Sequence, residues 1–273
     1  MLDAVTSQLQ LIYCKSKYLR KCHPLTLNRP TILGVLYQLR GIGYIAPIYF
    51  FLHYVQSRLE NYHAADNRLT QIGLVKTIIP TIILSYVLPS VTMFLAPGLA
   101  TRQWVNGLFW QPFPIYAAIL QRVLPRFVTD TTYEDRISKP EADMPYLRRI
   151  YGFAGVAAAC AYLYVLFNSP VSLTDVFLKG VSNPSEVVPL AQALTKFLRY
   201  DQIAAFSAST VWTMLSFRDL KRGGKVTTSW SKIVGAYAGI TLVAGPGAAL
   251  SAMWAWREEA LAKRQIVVPK NNK

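Results

Sequence analysis

Long apolar runs are the feature that most constrains this sequence. Six of them are separated by polar or proline-containing connections, and each is long enough to cross a bilayer core as a helix of about 20 residues. The candidate helices are Thr31–Ser57, Gly73–Leu95, Trp104–Leu124, Arg149–Phe167, Lys196–Gly224 and Trp230–Trp256. The connection at 168–195 would add a seventh if it inserts. The pattern predicts an all-α polytopic membrane protein with six to seven transmembrane helices in one bundle.

The charge balance fits a membrane protein better than a nucleic-acid-binding protein. Charged residues make up 16% of the chain, against about 25% in soluble domains. The net charge is +15, but the basic residues lie at the ends of the apolar runs, where they would meet lipid headgroups. A stripe of basic residues along a polar face would indicate a nucleic-acid partner, and the sequence has no such stripe. We therefore expect the lipid bilayer as a partner and no nucleic acid.

The chain is expected to form one folded unit with two polar ends. Residues 1–30 read as a basic, membrane-proximal tail, because their charges follow the short apolar run instead of preceding it as in a signal peptide. Residues 31–256 form the predicted transmembrane helical domain. Residues 257–273 form a polar C-terminal tail. No internal repeat or linker suggests a second domain.

Two acids lie within the fifth predicted helix, Asp201 near its start and Asp219 near its end. Carboxylates within a bilayer are costly, so they usually have a function or a partner. Eighteen residues separate the two, which is roughly 27 Å along a straight helix. They therefore cannot share one site unless the helix breaks.

A third acid, Glu258, completes a pattern that suggests a reaction pocket. Two helical faces each carry an acid, small residues and a tryptophan: Asp201, Ala205, Ala208 and Trp212 on one, and Gly247, Ser251, Trp254 and Glu258 on the other. If the fifth and sixth helices are antiparallel neighbours, Asp201 and Glu258 would serve one pocket. A carboxylic acid in apolar surroundings stays protonated and can donate a proton, and aromatic faces stabilise the cation that forms.

The alternative is that these acids only form ion pairs at the membrane interface, with Arg199, Arg218 or Arg257 as partners. Other chemistries lack their motifs. The sequence has no glycine-rich phosphate loop, no His-Glu-x-x-His, no nucleophile elbow and no Asp-Asp-x-x-Asp cluster for Mg²⁺, and Cys22-His23 lacks the second half of a metal site. A terpene enzyme with this sequence must therefore protonate an alkene or an epoxide.

Several motifs resemble those of a known enzyme family. They are Ala46 to Tyr54, Arg102-Gln103-Trp104, Trp110 to Pro114, Asp219 to Arg222, Gly245 to Ala248 and Trp254-x-Trp256-Arg257-Glu258-Glu259. As a set, spanning roughly residues 40–262, they resemble fungal integral-membrane terpene cyclases of meroterpenoid and indole-diterpenoid biosynthesis, of the ascochlorin/ascofuranone type.

The resemblance implies an all-α membrane enzyme without a metal or organic cofactor. It implies protonation of a terminal epoxide or olefin on a lipophilic prenylated substrate, ring closure and deprotonation. We expect an endoplasmic reticulum location and association with other membrane enzymes of the pathway. The alternative is a non-catalytic transporter or scaffold subunit.

The candidate site residues follow from the helical faces and these motifs. Asp201 and Glu258 are the first candidates for the catalytic acid, with Asp219 and then Glu60 in reserve. The candidate substrate-binding residues are His53, Tyr54, Trp104, Trp110, Gln111, Trp212 and Trp254.

Overall fold

The described part of the chain is entirely helical in its regular structure. The computed structural model describes residues 30–56, 72–128, 142–177 and 189–262. Within these ranges the regular elements are α-helices, two π-helical segments and one 3₁₀ turn. The predicted all-α class is confirmed.

The helices are numbered in chain order. They are α1 (Pro30–Arg40), α2 (Ile42–Gln56), α3 (Ile72–Lys76), α4 (Ile78–Ile82), α5 (Leu88–Leu95), α6 (Leu99–Val105), α7 (Phe113–Val123), α8 (Met144–Asn168), α9 (Leu173–Phe177), α10 (Leu190–Arg222), α11 (Trp230–Ala244) and α12 (Pro246–Ala262). The π-helical segments are Ile83–Val87 and Asn106–Trp110, and the 3₁₀ turn is Leu124–Phe127.

Two stretches of the described residues are long and apolar enough to cross a membrane. They are Ile78–Leu95 and α8, while Ile42–Val55 and α11 are apolar but shorter. Helix α10 has the necessary length at 33 residues, but it also carries Lys196, Arg199 and Asp201 along its first half. Because only two candidate spans are found among the described residues, the bundle of six to seven transmembrane helices stays a prediction.

The sixth predicted helix, Trp230–Trp256, is two helices in the structure. Gly245 adopts φ +87° between α11 and α12, a conformation that side chains with a Cβ rarely adopt. A Cβ at this position would also lie 2.6 Å from Cγ of Tyr162 on α8. The chain reverses at this glycine, and Pro246 begins a helix that packs back against α11.

Helices α2 and α10 run side by side in the same direction. Gly43, at the start of α2, contacts Asp201 in the first half of α10. Tyr54, at the end of α2, contacts Asp219 near the end of α10. The two contacts therefore follow the same order along both helices.

Helix α12 runs in the same direction as α10, and α8 packs against it in the opposite direction. Trp212 of α10 stacks on Trp254 of α12, and further along both helices Phe217 meets Trp256 with ring centroids 5.1 Å apart. This arrangement follows from the reversal at Gly245, which turns α12 back to the direction of α10. Three helices of one direction, α2, α10 and α12, therefore surround the pair Trp212–Trp254.

The core beside these helices is rich in aromatic residues. The larger of two buried apolar clusters includes Tyr37, Tyr49, Phe50, Tyr86, Phe113, Tyr151, Trp212 and Trp254. A second cluster at the ends of α10 and α12 includes Phe217, Leu220, Ile233, Met253 and Leu261. The first cluster contains the residues from which the candidate site is built.

Candidate functional site

Three stacked rings form the centre of the candidate site. Phe50 of α2 stacks on Trp212 with ring centroids 4.5 Å apart, and Trp212 stacks on Trp254 at 4.0 Å, both at 23° between ring planes. The two tryptophans are 2% and 1% exposed. We call Phe50, Trp212 and Trp254 the aromatic column. The faces of such rings carry negative potential and attract cations.

His53 holds the middle ring of the column in place. The indole Nε1–H of Trp212 donates to Nδ1 of His53 over 3.2 Å, and the two rings meet edge to face with centroids 5.1 Å apart. An imidazole nitrogen that accepts a hydrogen bond carries no proton, so a neutral His53 is protonated on Nε2. His53 and Trp212, which were both predicted to bind substrate, therefore form one buried hydrogen-bonded pair.

A buried ion pair lies at the Trp254 end of the column. The Arg257 guanidinium lies over the Trp254 ring, with Cζ 4.7 Å from the centroid. Its Nη1 donates to Oε1 of Glu258 over 2.6 Å, and the two side chains are 4% and 1% exposed. A buried carboxylate beside a guanidinium is stabilised in its charged form. This arrangement suits Glu258 to stabilising a cation or accepting a proton.

Trp254 also carries a buried donor. Its Nε1 has no hydrogen-bond partner among the residues that the structure describes. Most buried polar groups in folded proteins are hydrogen-bonded. This indole N–H therefore marks a position where an acceptor oxygen of a bound molecule would be favourable.

Asp219 belongs to a second polar group at the ends of α2 and α10. The Tyr54 hydroxyl donates to Oδ1 of Asp219 over 3.3 Å and accepts a hydrogen bond from Nη2 of Arg218. Nε of Arg218 lies 3.6 Å from the same carboxylate oxygen. Asp219 is buried, while the side chain of Arg218 is 46% exposed. The group therefore connects the interior with the protein surface.

Asp201 contacts the broken junction between α1 and α2. Gly41 separates these helices with φ +90°, and the backbone N–H of Gly43 donates to Oδ1 of Asp201 over 2.6 Å. The first N–H groups of a helix have no partner within it and attract carboxylates. The geometry gives Asp201 a capping role for α2, and its role as the catalytic acid stays a prediction.

The structure does not bring Asp201 and Glu258 into one pocket. Asp201 lies 11 residues before Trp212 on a continuous helix, about 16 Å along its axis. Glu258 follows Trp254 on a helix parallel to α10, so it lies toward the Asp219 end. The shared pocket required a single sixth helix antiparallel to α10. The first half of that segment, α11, does run antiparallel to α10, but Gly245 reverses the chain, so α12 with Glu258 runs parallel to it.

The other predicted residues lie apart from the column or outside the described residues. Trp104 is 66% exposed. Trp110 is partly buried and donates from Nε1 to Oγ of Ser90 over 3.1 Å, and Gln111 is exposed. Glu60 lies outside the described residues. Sequence reasoning missed Phe50 as a site residue, although its spacing of three residues from His53 places both on one helical face.

Comparisons with known proteins give the family. The CtvD domain matches residues 18–262. The chain is 40% identical over 241 residues to the FAD-dependent monooxygenase BOA8 of Botryotinia fuckeliana (strain B05.10), a match covering 87% of this chain and 31% of that protein. It is 29% identical over 249 residues to the FAD-dependent monooxygenase verC1 of Penicillium polonicum, covering 90% and 31%.

A more distant relative bears a different name. The terpene cyclase ascI of Acremonium egyptiacum is 25% identical over 250 residues, covering 84% of this chain and 63% of that protein. No solved structure matches the chain. The chain thus spans about a third of the length of the two monooxygenases and less than two thirds of the cyclase. Because the domain match covers most of its residues, the chain belongs to the CtvD-domain family.

Proposed function

We propose that this chain is a membrane-bound terpene cyclase of fungal secondary metabolism. It protonates an epoxide or olefin of a prenylated meroterpenoid or indole-diterpenoid substrate and closes rings through a carbocation, without a metal. We place it in the endoplasmic reticulum membrane, beside other membrane enzymes of the same pathway. Each of these statements goes beyond the family membership and is supported as follows.

The lengths matched in the relatives favour the cyclase over the monooxygenase activity. The shared segment makes up 63% of a protein named terpene cyclase, but only 31% of each of two proteins named FAD-dependent monooxygenase. Because this segment makes up most of the terpene cyclase, the name of that protein is a better guide to the segment's activity than the names of the two monooxygenases. The sequence also lacks a glycine-rich dinucleotide loop.

The observation that carries the proposal is the buried aromatic column with an ion pair at its end. Trp212 is covered by Phe50 and Trp254, and Trp254 by Trp212 and Arg257, so a polyene would meet the column at the outer face of Phe50. Cation–π attraction at that face would stabilise positive charge that develops on the polyene. Exclusion of water would prevent early capture of the cation. The Glu258 carboxylate, held by Arg257, offers negative charge at the other end of the column.

The longer relatives favour an epoxide as the group that is protonated. A flavin monooxygenase that acts on an alkene adds one oxygen atom and produces an epoxide. In BOA8 and verC1 a segment like this chain belongs to a protein with that name. A cyclase segment in such a protein would receive an epoxide directly.

The reaction balances without a cofactor. A carboxylic acid transfers its proton to the epoxide oxygen, the carbon–oxygen bond breaks, and a neighbouring alkene attacks the carbon. Loss of a proton from carbon then ends the cation, so the product is an isomer of the substrate. Ionised Glu258 suits the final step, while Asp201, Asp219 and Glu60 remain candidates for the first.

The test is an assay of microsomes from a yeast that expresses the chain. Epoxyfarnesyl-phenol and epoxygeranylgeranyl-indole substrates would be given to the wild type and to Asp201→Asn, Asp219→Asn, Glu60→Gln and Glu258→Gln. Glu259→Gln is the matched control, because Glu259 is the next residue but forms an exposed pair with Arg148. We expect isomers of unchanged mass from the wild type and the control.

Loss of these isomers in one variant at equal protein level would identify that carboxyl group as essential. If no substrate gives an isomer with the wild type, the cyclase proposal fails and the transporter or scaffold alternative becomes the better explanation. Glu258 and Asp219 do pair with Arg257 and Arg218, two of the partners named in the ion-pair alternative. The Arg257–Glu258 pair supports the cyclase proposal nevertheless, because it is deeply buried beside the aromatic column and does not lie at an interface.

A further inference from the structure

The contacts between helices show which helix ends lie together. Helices α2, α10 and α12 run in one direction, so their last residues lie at one end of the structure, which we call the basic end. Helix α8 begins at this end, because Arg148 near its start pairs with Glu259 near the end of α12. Helix α11 begins there too, because Nζ of Lys221, near the end of α10, donates to the backbone carbonyl oxygen of Thr228.

Helices α3 and α7 also end at the basic end. Nζ of Lys76, the last residue of α3, lies 5.6 Å from the centroid of the Tyr146 ring near the start of α8. Nε2 of Gln121, near the end of α7, donates to Oγ1 of Thr81 over 2.9 Å, and α4, which contains Thr81, begins two residues after Lys76. The opposite end then holds the start of α2 and the ends of α5, α8 and α11.

Basic side chains are divided unequally between the two ends. Among the described residues, eleven lie at the basic end, namely Lys76, Arg122, Arg126, Arg148, Arg149, Arg218, Lys221, Arg222, Lys225, Lys232 and Arg257. Four lie at the opposite end, namely Arg40, Arg102, Lys196 and Arg199. Every basic-end side chain except Arg257 is at least partly exposed. The excess of positive charge therefore reaches the protein surface at one end.

The two candidate spans show the same bias individually. Helix α8 carries Arg148 and Arg149 near its start and no charged residue from there to its end at Asn168. That distance is about 28 Å along the helix axis, close to the ~30 Å of a bilayer's hydrocarbon core. The span Ile78–Leu95 has no charged residue and begins two residues after Lys76. Each span therefore has its nearest basic residues at the basic end.

We infer that the basic end faces the cytoplasm and binds anionic headgroups of the cytoplasmic leaflet. Short loops rich in lysine and arginine stay on the cytoplasmic side during membrane insertion, and anionic lipids of that leaflet attract basic side chains. The inference rests on the membrane location in the proposed function and adds the direction in which the chain crosses the bilayer.

This orientation assigns a side of the membrane to each part of the candidate site. Asp219 and the Arg257–Glu258 pair lie toward the cytoplasmic leaflet, because they follow the aromatic column along α10 and α12. Asp201, which binds the start of α2, lies toward the opposite leaflet. The polar group of Asp219 and the half-exposed Arg218, which connects the interior with the surface, then faces the cytoplasm.

The experiment is cysteine accessibility in sealed microsomes, whose outer surface is the cytoplasmic one. The full chain is used after replacement of its native cysteines by alanine, and each variant adds one cysteine at an exposed position. Thr227→Cys and Ser229→Cys lie at the basic end, and Thr101→Cys and Val171→Cys lie at the opposite end. A charged maleimide that does not cross membranes is applied before and after permeabilisation with detergent.

We expect Thr227→Cys and Ser229→Cys to react in sealed microsomes, and Thr101→Cys and Val171→Cys to react only after permeabilisation. Labelling of SDS-denatured protein shows that each cysteine is present, and a protected lumenal protein shows that the microsomes are sealed. The reverse pattern, or labelling at both ends of a chain that alkaline carbonate does not release, would overturn the inference. Labelling at both ends with release by carbonate would reject the membrane location itself.

A second variant tests the role of charge. Arg122→Gln, Arg126→Gln, Arg222→Gln and Lys232→Gln together remove more than half of the excess at the basic end. We expect part of this protein to insert in the opposite direction, so that Thr101→Cys becomes labelled in sealed microsomes. The control with Arg40→Gln and Arg102→Gln should keep the original pattern. An unchanged pattern in the first variant would overturn the part assigned to anionic headgroups.

Discussion

At the scale of single residues, the interior combines aromatic faces with a few strongly polar groups. The Trp212–His53 hydrogen bond and the Arg257–Glu258 pair both lie within a cluster that is otherwise apolar and aromatic. Each polar group depends on its partner, because a buried charge or donor that loses its partner bears the full cost of desolvation. Substitutions at these residues should therefore have larger effects than chemically equal changes at the surface.

Arg257→Met should destabilise the protein by about 3–5 kcal/mol, because it removes the buried guanidinium that pairs with the Glu258 carboxylate. The matched change Arg148→Met removes an exposed pair with Glu259 and should cost about 0–1 kcal/mol. Thermal unfolding in detergent measures both. Recovery of stability in the double variant Arg257→Met, Glu258→Leu would support the explanation, and equal losses in the two single variants would contradict it.

His53→Leu should destabilise the protein by about 1–3 kcal/mol, because it leaves the Trp212 indole N–H buried without its acceptor. His53→Asn retains an acceptor near the position of Nδ1 and should recover part of that loss. The comparison of the two thermal unfolding curves, with tryptophan fluorescence as the signal, measures the effect. No difference between Leu and Asn at this position would show that the hydrogen bond is unimportant.

At the scale of helices, glycines decide where the chain turns and how closely the helices approach. Gly41 and Gly245 have positive φ, and each interrupts a largely apolar run of the sequence. The first break lets α2 start directly against α10. The second reverses α12 and places Trp254 on Trp212. The aromatic column therefore depends on two backbone positions that have no part in its chemistry.

Gly43→Ala should destabilise the protein by about 1–3 kcal/mol, the usual cost of overpacking, because the new methyl group would force α2 away from α10. Gly235→Ala is the matched control, since a Cβ there meets nothing within 4 Å, and alanine favours a helix over glycine by about 1 kcal/mol. We expect opposite signs for the two changes in detergent unfolding. A neutral result for Gly43→Ala would mean that α2 does not need this close contact.

At the scale of the whole molecule, a large apolar surface remains uncovered. Exposed side chains include Phe51, Leu95, Phe167, Leu190 and Leu242, each at least 66% exposed. Soluble monomers rarely expose apolar patches larger than a few hundred Å². A bilayer would cover this surface, and the basic residues at the ends of the runs would meet its headgroups.

We expect the chain to stay in the microsomal pellet after washes with alkaline carbonate and with salt at about 1 M, a concentration that screens surface charges. We expect detergent to release it. A protein bound only through its net charge of +15 would leave the pellet in salt, because screening weakens that attraction. Release by salt or carbonate would contradict integration into the membrane.

The apolar periodicity, low charge and proline positions of the sequence determined the helical class and most helix locations, because these are local properties of the chain. The helical faces placed Trp212 and Trp254 among the candidate site residues, and a motif of the family resemblance placed His53 there. The structure brings these three residues together. The sequence showed how these residues are spaced along single helices, but it did not show which residues of other helices they contact. The pairing of Asp201 with Glu258 failed for this reason.

Only the tertiary structure decided which helix ends meet. A single positive φ at Gly245 turned one predicted helix into two and moved Glu258 to the Asp219 end of α10. The sequence placed Gly245-Pro246 inside one predicted helix, since whether such a step bends a helix or reverses it depends on packing against Tyr162. Local chemistry thus specified the elements, while long-range packing specified the site, because contacts between helices are not encoded by the spacing within one.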